Sequence, residues 1–284
     1  MMSGKTCLVT GATSGIGKET AVRLATLGAT VIIVGRTAER GETACDGIRR
    51  RTPLARVEAV TADLSSLVQV RQLAENVLAR YDRLDVLVNN AGVIMTGRQL
   101  TVDGLETTFA TNHLAPFLLT NLLRGLLQRS APARVVTVSS GAHKQVRTIP
   151  WDDLPRGGPA ADRQSYPLSK LLNVLFTAEL ARRLTGTGVT ANCLHPGFVR
   201  SDLGRDVTGV PGALLRLILA LRPGPATGAK TSVYLASSPE VAEVTGGYFV
   251  KCKPVQPSAL ARDDQAAARL WTLSEELAGL DPGR

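Results

Sequence analysis

A tyrosine and a lysine four residues apart, Tyr166 and Lys170 in the stretch YPLSK, are the residues of this chain whose types and spacing suit proton chemistry. Residues four apart on a helix share a face, so both side chains can enter one site. An ammonium beside a phenol favours the phenolate and lowers its pKa from a reference near ~10, which makes the phenol a usable proton donor or acceptor near neutral pH. Proline is tolerated in a helix's first turn and disfavoured in its interior. Pro167 therefore places Tyr166 at the start of the helix, where the helix dipole would help the phenolate further. Taken alone, such a pair is more often a surface tyrosine and a solvated lysine. The elements that must position it decide the matter.

Lys5–Thr10 (KTCLVT) is a short apolar run that ends in Gly11, Ala12, Thr13, Ser14, Gly15, Ile16 and Gly17, and a helical pattern then continues to Gly28. Strand, glycine turn and helix in this order are the setting of a dinucleotide-binding loop: glycines let the backbone approach a pyrophosphate, and the helix N-terminus supplies amide hydrogens and dipole. The second strand, Thr30–Val34, is followed by Gly35 and Arg36. An NAD site typically carries an acidic residue there for the ribose hydroxyls. A guanidinium suits a ribose 2′-phosphate instead, so NADP(H) is the expected cofactor.

Further strands are expected at 57–61, 85–89, 134–139, 187–194 and 247–250. Helices are expected at 37–51, 66–81, 112–128, 166–184, 213–221, 226–236 and 263–277. This alternation predicts an α/β fold, one Rossmann-type doubly wound parallel sheet of about seven strands with helices on both faces. Such sheets bind ligands at the carboxyl ends of their strands, where the glycine loop, Asp63, Asn89 and Ser140 fall. Residues 141–163, rich in proline and glycine, read as a long loop. Residues 200–225 read as an apolar flap over the substrate. No linker or repeat divides the chain, so one domain over residues 1–284 is expected.

The net charge of +9 is spread in short runs such as 49–51 and 182–183, which argues against a nucleic-acid surface. Cys7, Cys45, Cys193 and Cys252 show no paired metal spacing and read as free thiols in a reducing compartment. The first strand begins within a few residues of Met1, leaving no room for a signal peptide or anchor, and a cytoplasmic protein without an integral membrane segment is expected. The longest apolar run, 210–221, is too short to span a bilayer. His113 and His143 read as structural, and His195 as a brace for the turn at Pro196 and Gly197, with no second metal ligand spaced for it.

The set TGATSGIG (10–17), NNAG (89–92), Asn112, Ser139-Ser140, YPLSK (166–170) and HPGFV (195–199) resembles the short-chain dehydrogenase/reductase family. The segments 35–42, 169–203 and 246–254 look like its retinol-dehydrogenase-like branch. The resemblance implies that Tyr166 exchanges a proton with the substrate oxygen, and that Lys170 lowers the phenol's pKa and holds the nicotinamide ribose. Ser140 would orient the carbonyl, and Asn112 would anchor a water linking Lys170 to solvent. Gly11, Thr13, Ser14, Gly15, Ile16 and Gly17 would line the pyrophosphate, Asp63 and Leu64 the adenine, and Asn89, Ala91 and Gly92 the ribose. Pro196, Gly197, Val199 and Ser201 would sit by the nicotinamide. The function implied is NADP(H)-dependent interconversion of a hydrophobic ketone or aldehyde with its alcohol; the alternative is a catalytically idle NADP(H)-binding sensor on the same fold. A homodimer or homotetramer packed through the helices near 112–128 and 166–184 is also implied.

Overall fold

The computed structural model describes residues 1–157, 161–199 and 223–281. Its centre is one eight-stranded sheet of order β3-β2-β1-β4-β5-β6-β7-β8. The strands are β1 (Thr6–Thr10), β2 (Thr30–Gly35), β3 (Arg56–Thr61), β4 (Val86–Asn89), β5 (Ala133–Val138), β6 (Val189–His195), β7 (Tyr248–Val250) and β8 (Lys253–Pro254). The first seven are parallel, and β8 closes the edge as an antiparallel hairpin strand. That two-residue strand is the one beyond the seven expected.

Both faces of the sheet are covered, which is why its strands read as continuous apolar runs. Pleating sends alternate residues to opposite faces. Thus Leu8, Ile32 and Val34 join one core, whereas Cys7, Val9, Val31 and Ile33 join the other. Helices α1 (Gly15–Thr26), α2 (Ala38–Arg51) and α7 (Pro225–Ser237) cover the second face. Helices α3 (Leu67–Arg80), α5 (Ala115–Arg129) and α6 (Ala161–Arg183) cover the first. A short α4 (Thr107–Phe109) runs into α5 through a π-helical segment, Ala110–Leu114.

One expectation is corrected here. The helix carrying Tyr166 begins at Ala161, so Pro167 lies inside it and Tyr166 is not at its N-terminus. Packing of Leu171, Leu172, Leu175 and Phe176 into the core sustains the helix through the proline. Helix α8 (Asp264–Ala278), capped by the Asp263 carboxylate and closed by Gly279 at φ 58°, packs on α6 and α5. Trp271 stands 4.9 Å from the Phe117 ring and 6.0 Å from that of Phe176, so the chain's own tail packs on both long helices. The expected helix 213–221, most of the flap, and Ser201 lie outside the described residues.

Candidate active site

The carboxyl ends of the strands surround a cavity of about 850 Å³. One end is built by the turn after β1. Gly11 adopts φ +63°, and a Cβ there would lie 2.8 Å from the Ala91 Cα. A Cβ on Gly17 would lie 2.4 Å from the Gly11 carbonyl oxygen and from Asn90 Nδ2. Only glycine permits this closeness, and it leaves a backbone cradle at the start of α1. Thr13, Ser14, Gly15 and Ile16 line the same end.

Arg36, at the exit of β2, lines the cavity, and Arg40 joins it from the first turn of α2. Arg40 is a basic residue that the reading of the sequence passed over; its signal was a spacing of four from Arg36 at a helix start. Asp63 and Leu64 line the cavity below, with Asp63 Oδ1 accepting from the Ser65 amide at 2.9 Å and hydroxyl at 2.8 Å.

The residues after β4 divide differently from expectation. Asn89 is buried and donates to Thr120 Oγ1 on α5 at 3.0 Å, away from the cavity. Its neighbour Asn90 lines the cavity instead and donates to the Thr10 and Gly11 carbonyls at 2.8 and 3.2 Å. Strand alternation carried the signal, because Leu87, two residues earlier, packs in the α5 core and fixes Asn89 on that side. Ala91 and Gly92 follow Asn90 into the cavity wall.

At the other end stand Ser140, Tyr166 and Lys170, all lining the same cavity. The two serines after β5 part company: Ser139 Oγ donates to the Lys170 carbonyl at 2.7 Å, whereas the Ser140 hydroxyl hydrogen-bonds Tyr166. Lys170 Nζ lies 5.6 Å from the centre of the Tyr166 ring and donates to the Val138 carbonyl at 3.0 Å. The expected lowering of the phenol pKa is not found. Burial raises it, and the Ser140 hydrogen bond only partly opposes that. Burial likewise brings the Lys170 ammonium down to about 8. The phenol is therefore protonated at neutral pH.

Asn112, at the middle of the π segment, is fully buried. Its Oδ1 accepts from the Val93 amide at 2.7 Å, while Nδ2 donates to the Val93 carbonyl and to Ser169 Oγ, each at 3.0 Å. It thereby ties the loop after β4 to the helix of Tyr166. A π bulge re-aims a side chain that a regular helix would point elsewhere. A Cβ on Gly92 would lie 3.3 Å from Lys170 Nζ and 3.4 Å from Asn112 Oδ1, so these groups meet at one point. Pro196, Gly197 and Val199 close the wall from the end of β6, with His195 beside them.

A glycine cradle at one end and a phenol, an ammonium and a hydroxyl at the other make a site for a long dinucleotide and a small reactant. The family model described as short chain dehydrogenase matches residues 5–209. The chain belongs to the short-chain dehydrogenase family. Human retinol dehydrogenase 14 is 46% identical over 297 aligned residues, covering 99% of this chain and 88% of that protein. Human retinol dehydrogenase 12 is 44% identical, over 98% of this chain and 88% of its own length. Among solved structures, an uncharacterized protein from Mycobacterium paratuberculosis is 36% identical with a TM-score of 0.79, over 99% of this chain and 95% of that one. A short chain dehydrogenase from Burkholderia cenocepacia J2315, solved in complex with NADP, is 29% identical with a TM-score of 0.69, over 87% and 96% of the two chains. This short-chain dehydrogenase is thus retinol-dehydrogenase-like, an oxidoreductase that acts on CH–OH or C=O groups with a nicotinamide cofactor. No helix among its described residues is long and apolar enough to cross a membrane.

Proposed function

We propose that this enzyme uses NADP(H) to interconvert a hydrophobic aldehyde or ketone with its alcohol, the whole chain serving as one dinucleotide-binding unit. The observation that carries the reading is the opening of Ser140, Tyr166 and Lys170 onto one cavity with the glycine cradle. The cradle suits a pyrophosphate because side chains are excluded from it, and Arg36 and Arg40 suit a 2′-phosphate because two guanidiniums flank the end of β2. The NADP-bound relative supports that choice. NADP(H), when bound, supplies the hydride chemistry.

The chain's own residues do the rest. Ser140 and Tyr166 hold the substrate oxygen by hydrogen bonds, and Tyr166 hands it a proton in reduction or takes one in oxidation. A phenol that burial keeps protonated is the form that reduction requires, and Lys170 stabilises the phenolate left behind. Lys170, Gly92 and Asn112 meet at one point, which supports a proton path from Lys170 through a water near Asn112. Retinol, for which two relatives are named, is itself an apolar alcohol, consistent with the substrate class. The four thiols are unpaired, which supports a cytoplasmic location. Any homodimer or homotetramer is proposed to form outside the area covered by α8.

Tyr166→Phe tests the reading. NADPH should still bind, measured by quenching of its fluorescence, while turnover of any reducible carbonyl falls about 10²–10⁴-fold. Full turnover in the variant would sink the assignment.

A further inference from the structure

The chain has three histidines, and the fold accounts for two. His113 is enclosed by Phe109, Phe117 and Phe176, with Nε2 bonded to Ser274 Oγ at 2.9 Å. His143 is also buried; its Nδ1 bonds the Ser140 carbonyl at 2.7 Å and its Nε2 accepts from the Ser258 amide at 3.2 Å. His195 differs from both. It ends β6, is only partly buried, and lines the cavity that holds Ser140 and Tyr166.

Its ring is oriented. Nδ1 is buried with no hydrogen-bond partner. Nε2 lies at Gly141, 3.3 Å from where a Cβ on that glycine would stand. The residue after Ser140 thus has no side chain to keep the imidazole away, and the ring packs against Gly141. Phe198 meets it edge-on at 5.5 Å and 82°. Burial, with His143 and Lys144 nearby, holds the ring's pKa below its ordinary value, so the ring is neutral at pH 7. A neutral imidazole has one N–H. An N–H on the enclosed Nδ1 would find no acceptor, whereas Nε2 is not enclosed in that way and belongs to a residue that lines the cavity, where an acceptor can enter.

We propose that His195 is a specificity residue whose Nε2–H donates a hydrogen bond to a second substrate oxygen, adjacent to the carbonyl held by Ser140 and Tyr166. Vicinal dicarbonyls and α-oxygenated ketones are then preferred over ketones with a single oxygen. The inference rests on the carbonyl-reduction reading above. A site built to donate to an oxygen discriminates strongly against an analogue that lacks it, because the donor is left unpaired.

The test compares 2,3-hexanedione with 2-hexanone, two reactants of equal length, in wild type, His195→Ala and His195→Gln. Wild type is expected to favour the dione by at least tenfold in kcat/KM. His195→Ala should lose that preference, and His195→Gln, which keeps an N–H donor, should recover part of it. By NMR of the NADP⁺ complex, the dione should move one histidine Cε1–H resonance that is absent from both variants. Equal losses on both ketones, with or without weakened NADPH binding, would make His195 a wall of the cofactor site and overturn the proposal. So would a preference unchanged in His195→Ala. A wild type inert toward aldehydes and ketones of every class would instead defeat the underlying carbonyl-reduction reading, and this inference with it.

Discussion

His113 shows how a buried titratable side chain sets acid tolerance without touching the reaction. Its aromatic enclosure brings its pKa down to about 3, from an ordinary 6.5. Between those values the unfolded chain binds a proton that the folded chain refuses, so stability falls as pH falls from about 6.5 toward 3, by about 1.4 kcal/mol per pH unit. Above 6.5 the residue has no effect of this kind. Denaturant unfolding at pH 7 and pH 5 should show His113→Gln losing less stability on acidification than wild type. An identical pH dependence would exclude His113 as the source. Asp85, held below its ordinary 3.8 by Arg83, Lys5 and the Thr6 amide, acts in a lower window: its contribution is present above 3.8 and is lost as pH drops through its folded value. Arg36 belongs to the same scale. Arg36→Asp should weaken NADPH binding about tenfold or more, one charge-assisted hydrogen bond with a phosphate having been lost. NADH should bind at least as well as before. Titration of both nucleotides measures this, and an unaltered ratio would remove Arg36 from the cofactor site.

The hairpin between β7 and β8 is where an element departs from what its sequence prefers. Its two turn residues, Lys251 and Cys252, adopt φ 51° and 61°, a left-handed conformation for which asparagine and glycine are suited. The turn persists because the Cys252 amide donates to Thr231 Oγ1 at 3.2 Å, tying it to α7. Lys251→Asn with Cys252→Gly keeps that amide and relieves the backbone. It should raise stability by about 1 kcal/mol, measured by denaturant unfolding. A loss of stability would show that the native side chains contribute more than the turn costs. The π segment departs from helical preference in a different way: regular α-helix is expected over 112–128, and tertiary bonds from Asn112 to Val93 and Ser169 hold its first residues in a π segment, Ala110–Leu114, instead.

At the scale of the molecule, the last helix makes the body whole. Trp271 is fully buried between α5 and α6, Arg183 lies 4.3 Å over its ring, and its indole donates to Glu275 at 2.7 Å. Arg71 on α3 bonds the Ala278 and Gly279 carbonyls at the helix's far end. Trp271→Ala should cost about 3–5 kcal/mol in unfolding free energy and expose apolar surface on α5 and α6. A change below about 1 kcal/mol would mean that α8 rests on those helices without stabilising them.

Much of this was already written along the chain. Continuous apolar strands alternating with helices dictate a two-faced parallel sheet, because each run must be covered on both sides. The glycine turn and the four-residue spacing of Tyr166 and Lys170 are local, and local geometry follows from local types. Other features depended on partners distant in sequence. The phenol's pKa rose because enclosure outweighs the Ser140 hydrogen bond. Pro167 lies within its helix because core packing outweighs one proline, and α8 covers α5 and α6 because Trp271 finds its pocket there. Burial is the common physical reason: it belongs to no residue by itself and exists only once distant segments meet.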